Sequence, residues 1–225
     1  MTFSIVGRCA RTGMVGMSIS TSSIAVTGRC AWVRAGVGAV ASQNLTDPVL
    51  GIQILDLMEE GASAKDAIKE VAAGARHIAY RQLTAIDRRG STGHYTGAKA
   101  SAVAAAAAGQ DCVAAGNILA NADVPAAMVK VFELDNEVHL AERLLRALEA
   151  GMVAGGEAGP VHSAGLIVAA DQLWPVVNLR VDWADEAPIN GLRLLWERYE
   201  PQLQDYVARA LDPSSARGFA APGER

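Results

Sequence analysis

Cysteine is scarce in this chain, three residues in 225, and Cys9, Cys30 and Cys112 show no metal-type spacing. That argues against a disulfide framework or a zinc site; reduced, half-buried thiols are expected instead. Histidine is nearly as sparse, and His77, His94, His139 and His162 form no triad pattern with a serine or cysteine. No apolar run reaches the roughly 18 to 20 residues that span a bilayer, and no charged-then-apolar leader opens the chain. A cytoplasmic protein with no membrane partner is expected. A basic surface is missing too: the formal net charge is −4, and Lys and Arg form no cluster. Nucleic-acid phosphates would find little to neutralise them. Gly36 and Gly38 fall short of a G-x-G-x-x-G at a helix start, so no cofactor is indicated.

What the chain has is apolar mass, 51% of its residues, enough for one core of ordinary size. Residues 1–211 are expected to form a single domain, followed by a disordered tail of Ser, Gly, Pro and Ala over 212–225. From Thr2 to Val6 the side chains alternate, with Thr2, Ser4 and Val6 on one face and Phe3 and Ile5 on the other. Arg11, Thr12 and Gly13 turn the chain into MVGMSIS, where Ser18 and Ser20 share a face opposite Met17 and Ile19. AWVRAG and VGAVASQ read as two more strands.

Asp47 before Pro48 caps a helix that runs to Gly61, apolar nearly all round and so expected to be covered on most sides. Ser63 and Asp66 open a second helix in capping-box spacing. HIAYRQLTAIDRRGSTGHYTG reads as two antiparallel strands around an Asp-Arg-Arg-Gly turn. The alanine-rich residues 98–109 lack an amphipathic stripe and read as a loop or short helix. CVAAGNILA follows as a buried strand, then two helices, the second with Leu140, Leu144, Leu148 and Met152 on one stripe. Two strands, HSAGLIVAA and VVNLRVDW, precede a terminal helix that Pro201 must kink or restart.

Strand hairpins interrupted by helix pairs predict an α+β fold. About eight strands in two packed sheets, with the helix pairs outside, give a four-layer αββα sandwich. One antiparallel sheet with helices on one side fits the same pattern.

Thr2 raises the functional question. A small second residue permits removal of Met1, and a terminal threonine then carries both a hydroxyl and an α-amine whose pKa is near 8. The amine, directly or through one water, takes the hydroxyl proton as the oxygen attacks a carbonyl, so one residue supplies nucleophile and base. The ordinary alternative is a threonine that merely opens a strand.

The stretch TFSIVGR, the hairpin ending SIS, WVRAGVGAVASQ, GNILA, LAERLLRALEAG followed by GGE, and HSAGLIV with VNLRVD resemble, in that order, the bacterial DUF1028 family. The resemblance covers residues 2 to about 196. That family is assigned to the N-terminal nucleophile (Ntn) hydrolase superfamily, which implies the αββα sandwich and a cofactor-independent amidohydrolase cleaving a C–N bond of a small-molecule or peptide-like substrate. Where relatives carry GGD-R-G-QSA, this chain has GGEAGPVHSA, with Gly159, Val161 and His162 at altered places, which puts substrate recognition in doubt.

On that basis Thr2 is the candidate nucleophile. Asn117, an amide inside an apolar strand, is either the oxyanion donor or a structural amide pinning a bend. Arg34 stands at a place resembling the cation that flanks the threonine in proteasome-like members; its alternative is a solvent-facing position. Ser18, Ser20 and Thr21 on the paired strand are partners for the terminus, Ser20 being preferred. Gln43 and His162 are candidates for the substrate pocket; the alternative for each is an ordinary polar residue at a strand end. The rival reading is an inactive ligand-binding or scaffold protein that keeps the fold. The apolar helix from Pro48 and the tryptophans predict a homo-oligomer.

Overall fold

The computed structural model describes residues 1–100 and 102–214. Most of the tail expected beyond residue 211, namely 215–225, lies outside them. In chain order the elements are β1 (Thr2–Arg8), β2 (Val15–Thr21), α1 (Thr27–Cys30), β3 (Ala31–Arg34), β4 (Gly38–Asn44), α2 (Pro48–Glu59) and α3 (Ala64–Gly74). Then come β5 (Arg81–Asp87), β6 (Thr92–Thr96), β7 (Ala105–Gly109), β8 (Cys112–Asn117), α4 (Val124–Phe132), α5 (Leu140–Val153), β9 (Ser163–Ala169), β10 (Pro175–Val181), α6 (Pro188–Tyr199) and α7 (Leu203–Leu211).

The local signals act as their chemistry dictates. The Asp47 carboxylate accepts from the Val49 amide at the start of α2, and Pro48 takes the first helical position. Ser63 Oγ accepts from the Asp66 amide at 3.1 Å and donates to its carboxylate at 2.6 Å. Pro201 falls in a 3₁₀ turn, Glu200–Gln202, that separates α6 from α7, because proline supplies no amide to continue the ladder. Two expectations fail, the first in part. Of the alanine-rich stretch, residues 98–100 and 102–104 are loop, but Ala105–Gly109 pairs with β8 as an edge strand, small side chains fitting beneath α4. Helix α2 leaves its apolar Val49 and Ile52 exposed rather than being covered on most sides.

The strands form two antiparallel sheets, ordered β10-β9-β2-β1-β8-β7 and β3-β4-β5-β6. Helices α4 and α5 pack on β1, β2, β7, β8 and β9 of the larger sheet, α2 and α3 on the smaller one. One apolar cluster joins Phe3, Ile5 and Ala114 to Met128, Phe132 and Leu144 of the α4–α5 pair. A second joins Val40, Leu83 and Ala85 to Ile54 and Ile68 of α2 and α3. The third takes Val6, Met17, Ile19 and Val113 from one sheet and Ala39, Ala41 and Ile86 from the other. Since alternate residues of a strand face opposite ways, Val6 fixes the parity of β1: Thr2 and Ser4 turn toward the smaller sheet, Phe3 and Ile5 toward the helices. No helix among the described residues is long and apolar enough to cross a membrane.

Candidate active site

Strand β1 is central, so its first residue is flanked on both sides. Thr2 pairs with Asn117 of β8, and Phe3 pairs with Ser20 of β2. Directly opposed residues share a face, which puts Asn117 beside Thr2 and puts Ser20 with Phe3 on the helix side. Ser20 Oγ accordingly donates to the Ser163 carbonyl at 3.0 Å, and Ser18 Oγ to the Leu144 carbonyl of α5 at 2.7 Å. The preferred partner, Ser20, is therefore on the wrong face. Thr21, one residue on, is the neighbour: its Oγ1 lies 3.3 Å from Thr2 Oγ1, and both hydroxyls donate to the Met1 carbonyl oxygen.

Behind Thr2, buried amides link the sheets. Ser4 Oγ donates to Gln43 Oε1 at 2.8 Å, and Gln43 Nε2 donates to Gln82 Oε1 at 2.8 Å and to the Ala115 carbonyl at 3.3 Å. Gln82 Nε2 donates to the Gly116 carbonyl at 3.0 Å and Thr96 Oγ1 at 3.2 Å, which turns its Oε1 toward Asn117 Nδ2, 3.0 Å away. That chain fixes how Asn117 points. Its Nδ2 gives one hydrogen to Gln82, while Oδ1, fully buried, has no partner. Asn117 thus presents an unpaired acceptor beside Thr2, and the second hydrogen of its Nδ2 is the one an oxyanion donor would use. The next residue, Ile118, is held at φ 52°, a left-handed conformation that a β-branched side chain resists.

The remaining candidates divide. Gln43 is fully buried and spent on the hydrogen bonds just described, so it is a strut between the sheets. His162 reaches the site through its backbone, its amide donating to the Thr21 carbonyl at 2.9 Å. Its ring stacks on Trp183 at 4.4 Å, with Nδ1 2.9 Å from the Ala184 carbonyl. Arg34 is not brought to Thr2. It ends β3, paired with Gly38, and binds Asp56 at 2.8 Å and Glu59 at 2.5 Å on α2. Gln43 lies five residues farther along β4, about 17 Å at a strand's rise.

One acid at the site has no counterpart among the sequence candidates. Glu157, 4% exposed, accepts from the Ser22 amide with both carboxylate oxygens at 3.2 Å. Burial pushes its carboxyl up to about 7, against the pull of the Met1 α-amine and of donors on Ser22 and Thr21. The loop that carries it is stapled to the end of β8 by a Leu119–Glu157 bridge and an Ala158 amide donating to the Ile118 carbonyl. The signal was a lone acid after two glycines, Gly155 and Gly156, both at positive φ. Among the described residues no group of His, Cys, Asp and Glu is arranged to hold a metal ion.

Residues 2–192 match a family described as "Family of unknown function (DUF1028)". Protein SPO2555 from Silicibacter pomeroyi, a crystal structure of that family, is similar to this chain at 29% identity over 88% of each chain, with a TM-score of 0.82. Anbu, the ancestral beta-subunit from Yersinia bercovieri, aligns at 11% identity over 97% of this chain and 100% of its own, with a TM-score of 0.41. Anbu from Hyphomicrobium sp. strain MC1 aligns at 12% identity over the same shares, with a TM-score of 0.40. No curated protein matches the chain.

Proposed function

The chain belongs to the DUF1028 family, and on that premise we propose that it is an Ntn-type amidohydrolase whose nucleophile is Thr2, freed by cleavage of the Met1–Thr2 bond. Residues 1–211 are its one domain, read as an αββα sandwich. Helices packed on each sheet and an apolar cluster shared between the sheets support that architecture.

In the freed enzyme Thr2 Oγ1 attacks the carbonyl carbon of an amide, and its proton passes to the Thr2 α-amine, directly or through one water. The Thr21 hydroxyl, which already donates to the carbonyl oxygen at this place, stabilises the developing negative charge. The C–N bond breaks as the leaving amine takes the proton. Water then hydrolyses the ester on Thr2 and restores the hydroxyl. The β1 pairings with β2 and β8 hold the nucleophile in place, so little orientational freedom is lost on reaction. A cytoplasmic location and self-association belong to the same proposal; the exposed Val49 and Ile52 on α2 support the latter.

The observation that carries this reading is the Met1 carbonyl oxygen bonded by the hydroxyls of both Thr2 and Thr21. Two measurements test it. Intact mass of natively produced protein should show an N-terminus at Thr2, and an electrophilic acylating probe should label that residue. Thr2→Ala should abolish labelling while circular dichroism stays unchanged. Quantitative retention of Met1, or labelling that survives Thr2→Ala, would establish the rival binding-protein reading.

A further inference from the structure

At the end of β1 away from Thr2 three connections meet: the β1–β2 turn, the β7–β8 turn and the link between α4 and α5. They enclose a cavity of ≈ 220 Å³ whose wall includes Cys9, Gln110, Asn136 and Arg143. Arg143, on α5, is 4% exposed. Its Nε and Nη2 donate to the Phe132 carbonyl at the end of α4, at 3.2 and 3.0 Å, and the Phe132 ring lies 4.0 Å from the guanidinium carbon. A guanidinium has five N–H donors, and this one spends a single edge on a single oxygen. The other edge, Nη1 with the second hydrogen of Nη2, donates to nothing among the described residues. No carboxylate among them forms an ion pair with Arg143 either. Burial holds the guanidinium below its ordinary pKa, as expected of a cation matched only by a neutral carbonyl.

Three carboxylates also line the cavity, and each already has a donor. Asp111 accepts from Arg8 Nη1 at 2.8 Å and from Gln110 Nε2 at 3.1 Å. Glu133 accepts from the Gln110 amide at 2.6 Å, and Glu137 lies 4.0 Å from Arg11 Nε. Arg8 and Arg11 are thereby committed, so the wall holds one cation without an anion. A planar two-donor edge matches the two oxygens of a carboxylate. A phosphate would bring a second negative charge that no free cation answers, against three acids. The volume is below the roughly 300 Å³ at which pockets for drug-sized ligands begin, which limits the carbon chain to a short one.

We propose that this cavity binds a small monocarboxylate, its two oxygens on the free edge of Arg143. The proposal is independent of the hydrolase reading, since the six steps of β1 from Thr2 to Arg8 span roughly 20 Å.

Equilibrium dialysis of the full chain against radiolabelled butyrate at physiological salt tests it. One butyrate should bind per chain with a Kd below about 1 mM. Unlabelled propionate should displace it; butyramide, which keeps the shape without the charge, and inorganic phosphate should not. Arg143→Gln should weaken binding about tenfold or more. Should circular dichroism show that variant unfolded, Glu137→Lys decides, because Glu137 is exposed and its replacement leaves the core untouched. Exchanging an acid of the wall for a cation should tighten butyrate about threefold or more and turn phosphate into a competitor. Absence of saturable butyrate binding, equal displacement by butyramide or phosphate from the unaltered protein, or an affinity indifferent to folded Arg143→Gln or to Glu137→Lys overturns the proposal.

Discussion

The hydroxyls of Thr2 and Thr21 lie 3.3 Å apart across two neighbouring strands, and both donate to one carbonyl oxygen, that of Met1. Adjacent strands place residues this close only when both side chains leave the sheet on the same face. Thr21 is thereby distinguished from Ser20, one position away.

Thr21→Val should slow probe labelling of Thr2 about tenfold, the effect of losing one hydrogen bond to developing charge, about 1.4 kcal/mol. Ser20→Ala should leave labelling within twofold while lowering stability by about 1 kcal/mol, because its hydroxyl serves only the Ser163 carbonyl. Labelling rates and urea midpoints measure the two; a larger labelling loss from Ser20→Ala would reverse the assignment.

Gln82→Leu removes the centre of the amide chain, taking the partner of Asn117 Nδ2 and a donor to the Gly116 carbonyl, and leaving Gln43 Nε2 only its 3.3 Å bond to the Ala115 carbonyl, all in a buried place. The expected cost is roughly 3–6 kcal/mol, with a Tm lower by roughly 10 °C or more. A thermal scan showing a loss of only one or two degrees would mean that the chain is slack.

The Glu157 carboxyl is held above its ordinary 4.5, at about 7, so between these values the folded state binds its proton more tightly than the unfolded one. Stability contributed here is intact below about pH 4.5 and falls as pH rises through about 7, by a total on the order of 3 kcal/mol. Urea unfolding of wild type and Glu157→Gln at pH 5 and pH 8 isolates the term. The Gln variant should gain on the wild type as pH rises; a gap independent of pH contradicts it.

Arg34→Met should change stability by less than about 1 kcal/mol, since its two ion pairs with Asp56 and Glu59 are open to solvent. Thr2 labelling should stay within twofold. A tenfold loss of labelling would return Arg34 to the site.

Much of the framework was legible because it rests on local chemistry. Asp47–Pro48 and Ser63–Asp66 start their helices through side-chain bonds a few atoms away, and Thr2–Val6 alternates as a strand must. Thr21 was harder to choose because both faces of β2 are buried: Met17 and Ile19 face the other sheet, Ser18 and Ser20 face helix α5 and β9. Polarity then says nothing about which face holds the site, and only the register Phe3↔Ser20 decides it. Glu157 and Gln82 come from loops and strands brought together by tertiary contacts, 75 residues apart in sequence. The strand at Ala105–Gly109 was hidden because five small residues carry no periodicity at all.

The loop at residues 155–158 grips both strands that border Thr2: Glu157 holds the residue after β2, and Gly156 and Ala158 hold the chain leaving β8. A polypeptide end ordinarily frays when cut. Here the proposed cut before Thr2 would leave the fresh terminus moored on either side, so such a cleavage would call for no refolding.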